Sequence, residues 1–111
     1  MGWLLASFAV VLALVVGLLG WRSQALDPYT QEVLALVGDA DRGGEIFMMN
    51  CSTCHGADAA GRVGPSLQGV SDRKSKRQLV EQVVSGKTPP MPQFQPGPQD
   101  MADLLGYLQT L

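Results

Sequence analysis

Residues 51–55 read Cys51-Ser52-Thr53-Cys54-His55 and hold both cysteines and the single histidine of the chain. Two cysteines three apart project from one turn of helix. There their thiols can reach the two vinyl groups of one porphyrin as thioethers, and the adjacent histidine lies under the ring, where its nitrogen can bind iron. C-x-x-C-H is the attachment signature of c-type haem. Rival chemistries fit less well. Zinc needs four ligands, and there is no second Cys or His pair. A thioredoxin-like dithiol needs a βαβ setting, and no convincing strand is present. A disulfide across so short a span closes a loop too small to stabilise much. The expected cofactor is one haem c, held covalently by Cys51 and Cys54, with His55 as the proximal iron ligand.

Haem iron in an electron carrier is usually six-coordinate, with His and Met as the axial pair. Apart from the remote Met1, the candidates are Met48, Met49, Met91 and Met101. Met48 and Met49 precede Cys51 on the same short helix and cannot easily reach the opposite face. Met101 falls in the apolar pattern of the last helix and reads as core filler. Met91 lies in Pro89-Pro90-Met91-Pro92, where the prolines predict an extended, rigid backbone. A thioether on such a loop loses little entropy on binding iron, so Met91 is the expected sixth ligand; the plainer alternative is a Met packed under a Pro-rich loop.

The elements that must position these residues fit within 111 residues, room for one small domain. Aromatic residues make up only 6% of the chain, thin for a core of this size, and a cofactor would fill the deficit. The formal charge of −2 argues against nucleic acid as a partner. Residues 1–21 carry no charged side chain and are almost wholly apolar, with Trp3 and Trp21 at the ends. As helix they would span roughly 31 Å, about the hydrocarbon thickness of a bilayer. A retained membrane anchor is the expectation. A cleaved secretory signal is the alternative, because Ser23-Gln24-Ala25 offers small residues for cleavage.

Residues 22–38 read as a tether and a short helix, capped by Asp27, begun at Pro28 and ended at Gly38-Asp39, with Val33, Leu34, Leu36 and Val37 on its apolar side. Residues 39–111 read as the haem domain. An amphipathic helix is expected over 75–85, stopped at Ser85-Gly86, and another from about Pro98 to Thr110. Asp100 and Asp103 fall near the start of the latter, where the helix dipole favours them and no other role is needed. Arg73, Lys74, Lys76 and Arg77 form a basic run, read either as a solvated face or as a docking patch for an acidic redox partner or anionic headgroups.

From about residue 39 onward the chain resembles the class I c-type cytochromes. The resemblance rests on Gly43-Gly44-Glu45-Ile46-Phe47, Cys51 to Gly56, Gly64-Pro65, Met91 to Phe94, and Leu104 to Leu108. With its apolar N-terminus and the stretch from Ser85 to Pro92, it looks most like the cyanobacterial cytochrome c-M group. The segment between His55 and Met91 is shorter than in soluble plastid-type relatives. The resemblance implies an all-α fold, a small class I cytochrome c domain around one covalent haem, preceded by a single transmembrane helix. It implies that the Pro65 carbonyl accepts a hydrogen bond from the proximal imidazole, and that Gly43 lets the first helix of the haem domain cross closely over the last, with Phe47 and Tyr107 at the crossing. It implies a non-enzymatic carrier of single electrons between membrane redox complexes, photosynthetic or respiratory, with the haem domain in the thylakoid lumen or periplasm. The alternatives are a haem-based redox or gas sensor, a peroxidase with a labile sixth ligand, or an electron-entry subunit of a larger membrane complex.

Overall fold

The computed structural model describes residues 1–111 and contains helices but no strand. The charge-free N-terminus forms α1, Gly2–Ser23, and none of its residues is buried. It is therefore not a core helix of the domain; its mean hydropathy of 2.5 makes it long and apolar enough to cross a membrane.

Asp27 caps α2, Pro28–Ala35: its carboxylate accepts from the Thr30 amide at 3.0 Å and from the Thr30 hydroxyl at 2.7 Å. Thr30 and Val33 are buried. The helix is shorter than the apolar pattern predicts, because Leu36 turns to extended backbone. Val37 is left 89% exposed rather than on an inner face.

Asp39 caps α3, Ala40–Asn50, accepting from the amides of Asp41 and Arg42. Two single-turn helices follow, α4 over Ser52–His55 and α5 over Val70–Arg73. Helix α6, Lys76–Ser85, starts on a reciprocal capping box between Ser75 and Gln78 and stops at Gly86. Helix α7, Pro98–Leu108, begins on a proline and ends two residues short of Thr110. Phe47, Val33, Val80, Met101 and Leu104 are fully buried and draw α2, α3, α6 and α7 onto one core. Met101 is core, as its place in the pattern implies.

The crossing of α3 over α7 is set by one small residue. A Cβ on Gly43 would overlap the Asp103 carbonyl and lie 2.9 Å from the Tyr107 Cβ. Beside that contact the Phe47 and Tyr107 rings pack with centroids 5.2 Å apart.

The structure corrects the reading of Asp103 as a charge favoured by the helix dipole with no other role; only Asp100 lies in the first turn of α7. Asp103 is 1% exposed and accepts from the Asp39 amide at 2.8 Å and from the Gln99 side chain at 2.9 Å, while Arg42 Nε lies 3.5 Å from its other oxygen. One carboxylate thus ties the start of α3 to α7. Burial pushes its pKa up, but the two hydrogen bonds and the Arg42 charge outweigh burial and hold it below the usual carboxylate range. A depressed carboxylate pKa contributes stability that is present above the unfolded value and lost as pH falls through the folded one. Asp103→Asn is expected to cost about 1–2 kcal/mol at neutral pH. It should also flatten the loss of stability below about pH 4. Urea melts between pH 3 and pH 7 check this, and an unchanged acid limb would refute it.

Candidate haem site

Helix α3 delivers the attachment motif. The Cys51 amide donates to Phe47 O at 2.8 Å, closing the last turn of α3. Cys51 O then accepts from the amides of Cys54 at 3.2 Å and His55 at 3.0 Å. The two cysteines and the histidine therefore share one turn on α4. Both thiols are unlinked and half-buried. Burial, and secondarily the neighbouring Cys54, push the Cys51 thiol up to about 11, so it stays protonated at neutral pH.

His55 is buried, and its Nδ1 lies 2.8 Å from Pro65 O. A carbonyl can only accept, so Nδ1 carries the proton and Nε2 keeps a free lone pair. The loop that brings Pro65 here is closed by Gly61 N–H to His55 O at 2.7 Å and Gly64 N–H to Cys54 O at 2.8 Å. Only glycine fits at 64, since a Cβ there would stand 2.7 Å from His55 Cε1. Arg73 reaches back from α5 to the carbonyls of Gln68, at 2.8 Å, and Ser66, at 3.3 Å, and braces the same loop. Two free thiols on one turn and an imidazole with a fixed tautomer are a donor set suited to covalent haem and one axial bond.

Met91 lies between α6 and α7, and both it and Cys51 pack against the same buried cluster. Its backbone is not extended as the flanking prolines predict. Met91 N–H donates to Thr88 O at 3.0 Å, closing a turn, and Phe94 N–H pins the loop to Val83 O at 3.0 Å. No hydrogen bond joins Met91 to the cysteines or to His55. Its thioether sulfur instead lies 3.6 Å from Gln82 Nε2, which also lies 3.2 Å from Thr88 Oγ1. Sequence reasoning missed Gln82; its only signal is a polar amide directly before the buried Val83 on an amphipathic helix. Met48 and Met49 project from α3 largely into solvent.

The basic run is partly spoken for. Arg73 holds the Pro65 loop, and Arg77 Nη1 donates to Gln24 O at 3.1 Å. Only the side chains of Lys74 and Lys76 make no hydrogen bond or ion pair. Two clefts, of about 430 and 280 Å³, lie away from the cysteines, His55 and Met91.

The chain is similar to known proteins over most of its length. Residues 38–108 match the family described as cytochrome c oxidase, cbb3-type, subunit III. The chain is 65% identical over 85 residues to a cytochrome c-553-like protein of Synechocystis, covering 77% of this chain and 81% of that one. It is 40% identical over 42 residues to cytochrome c-550 of Bacillus subtilis, covering 38% of this chain and 35% of the relative. Among solved structures, cytochrome cL from Hyphomicrobium denitrificans superposes with a TM-score of 0.58 at 25% identity. That match covers 78% of this chain and 53% of the other.

Proposed function

The chain belongs to the class I c-type cytochromes, and from that membership and the site geometry we propose that it is a membrane-anchored monohaem carrier of single electrons, not an enzyme. Haem c bound through Cys51 and Cys54 supplies a one-electron iron couple. The chain supplies its setting. His55 Nε2 would hold the iron, and the Pro65 carbonyl, by accepting a hydrogen bond from Nδ1–H, fixes the ring's orientation and raises its basicity. Met91 would offer its thioether sulfur to the iron, with Gln82 steadying its loop. The observation that carries the reading is the 2.8 Å contact between His55 Nδ1 and Pro65 O on the same turn as both cysteines, because it leaves one imidazole nitrogen, and only one, available to iron.

Helix α1 serves as the anchor, supported by its exposure along its whole length and its freedom from charge before Arg22. The haem domain stands on the side where c-type haem is attached, periplasm or thylakoid lumen, and works in photosynthetic or respiratory electron transfer. Donor and acceptor are membrane redox complexes or soluble redox proteins, docked in part through Lys74, with the exposed flank of Arg73 contributing charge. The description of the matching family as an oxidase subunit favours a second reading, an electron-entry subunit of a larger membrane complex; a stoichiometric redox partner retained after mild detergent extraction would establish it.

Optical spectra of the haem-loaded full chain test the proposal. A low-spin spectrum in both oxidation states, unchanged by carbon monoxide, is expected. A high-spin spectrum or ready carbon monoxide binding would overturn it in favour of a sensor or peroxidase.

A further inference from the structure

Helix α2 is part of the packed domain rather than of the tether. Beyond the burial of Thr30 and Val33, Tyr29 donates its hydroxyl to Pro96 O at 2.8 Å, on the segment leading into α7. The link between α1 and the domain is thereby cut to residues 24–27. Four residues reach at most about 14 Å when fully extended, and these are not extended. Gln24 and Ala25 N–H still donate to Trp21 O at 3.1 Å and Arg22 O at 3.2 Å, so the chain leaves α1 in a turn. Gln31 Nε2 holds Leu26 O at 2.8 Å. Arg77, in the first turn of α6, reaches across 53 positions of sequence to Gln24 O at 3.1 Å. Side chains of the domain thus grip the linker from two helices. The grip lies beside Arg22, the last-turn cation of α1, and beside the unpaired Lys76. Cations at the end of a membrane helix suit anionic headgroups.

We propose that the haem domain does not swing on a leash but is held by its short, gripped linker in one orientation on the bilayer, its α2–α6 side toward the headgroups. This rests on the reading of α1 as a retained anchor. A single electron then enters from a reduced donor and leaves to an oxidised acceptor at a fixed height. The partners it fits are redox proteins of the same membrane whose docking faces stand within that height.

Polarised absorption of the haem-loaded full chain, in oriented bilayers of phosphatidylcholine with phosphatidylglycerol, tests this. The native chain is expected to show strong dichroism of the haem bands. A flexible Gly-Ser insertion of about eight residues between Gln24 and Ala25, which adds roughly 15 Å of reach and leaves the domain's packing untouched, is expected to abolish it. Arg77→Ala is expected to reduce it at least twofold. An isotropic native signal overturns the proposal. So does dichroism that survives the insertion, because adsorption rather than the short linker would then orient the domain. Alkaline carbonate extraction separates the two readings: release of the chain overturns the anchor and with it the seating, whereas retention with isotropic haem overturns the seating alone.

Discussion

Gly43→Ala is expected to destabilise the domain, although alanine is the better helix former. In an exposed helix interior the substitution would gain about 0.8–1 kcal/mol. At residue 43 the added methyl meets the Asp103 carbonyl and the Tyr107 Cβ, backbone and near-backbone atoms that cannot rotate away. Forcing α3 from α7 disturbs the Phe47–Tyr107 contact and the Asp39–Asp103 hydrogen bond together, for a net loss of about 1–3 kcal/mol or more. Each kcal/mol lowers Tm by about 4–8 °C in a domain of this size. Gly106→Ala is the control. Its Cβ would find its nearest neighbours at 3.5 Å, ordinary contact, so the propensity gain should survive there. Thermal melts of the two haem-loaded variants should move in opposite directions, and equal shifts would remove the crossing as the determinant.

The second large effect is expected at Met91. Met91→Leu keeps an apolar side chain of similar volume at the core edge and removes the sulfur, so the fold should lose less than about 1.5 kcal/mol. The optical spectrum should change far more. With no thioether to offer, the haem-loaded variant is expected to become high-spin and to bind carbon monoxide, whereas the native protein is expected to ignore it. Met48→Leu and Met49→Leu should leave the spectrum unaltered, since both side chains point largely to solvent. A low-spin, carbon-monoxide-insensitive Met91→Leu protein would fail the ligand assignment while leaving covalent attachment at Cys51 and Cys54 standing.

Much of this was legible because the chemistry is local. Cys51, Cys54 and His55 are fixed by a spacing that one helical turn converts directly into geometry. The caps at Asp27 and Gly86 act within a few residues of themselves, so the start of α2 and the stop of α6 follow from residue type. Continuous apolarity before Arg22 specifies a long exposed helix by the same short-range logic. Where the reading slipped, long-range contacts decided. Leu36 and Val37 continue an apolar pattern, yet the chain must turn there to place Asp39 N–H on Asp103.

By itself, then, the amino-acid order determined the helical composition, the attachment turn and the family, because each depends on residues within one or two turns of one another. Tertiary structure alone decided which charges are structural. Asp103 looks like any dipole-facing acid until α3 lies over α7, and Arg73 and Arg77 look like a uniform basic patch until one braces the Pro65 loop and the other grips the linker. It also placed Gln82 against the Met91 sulfur, across a turn whose shape the prolines did not predict. The physical reason is the same in each case. A polar side chain takes its role from the partner the fold brings to it, and for Asp103 and Arg77 that partner lies 64 and 53 positions away in the chain.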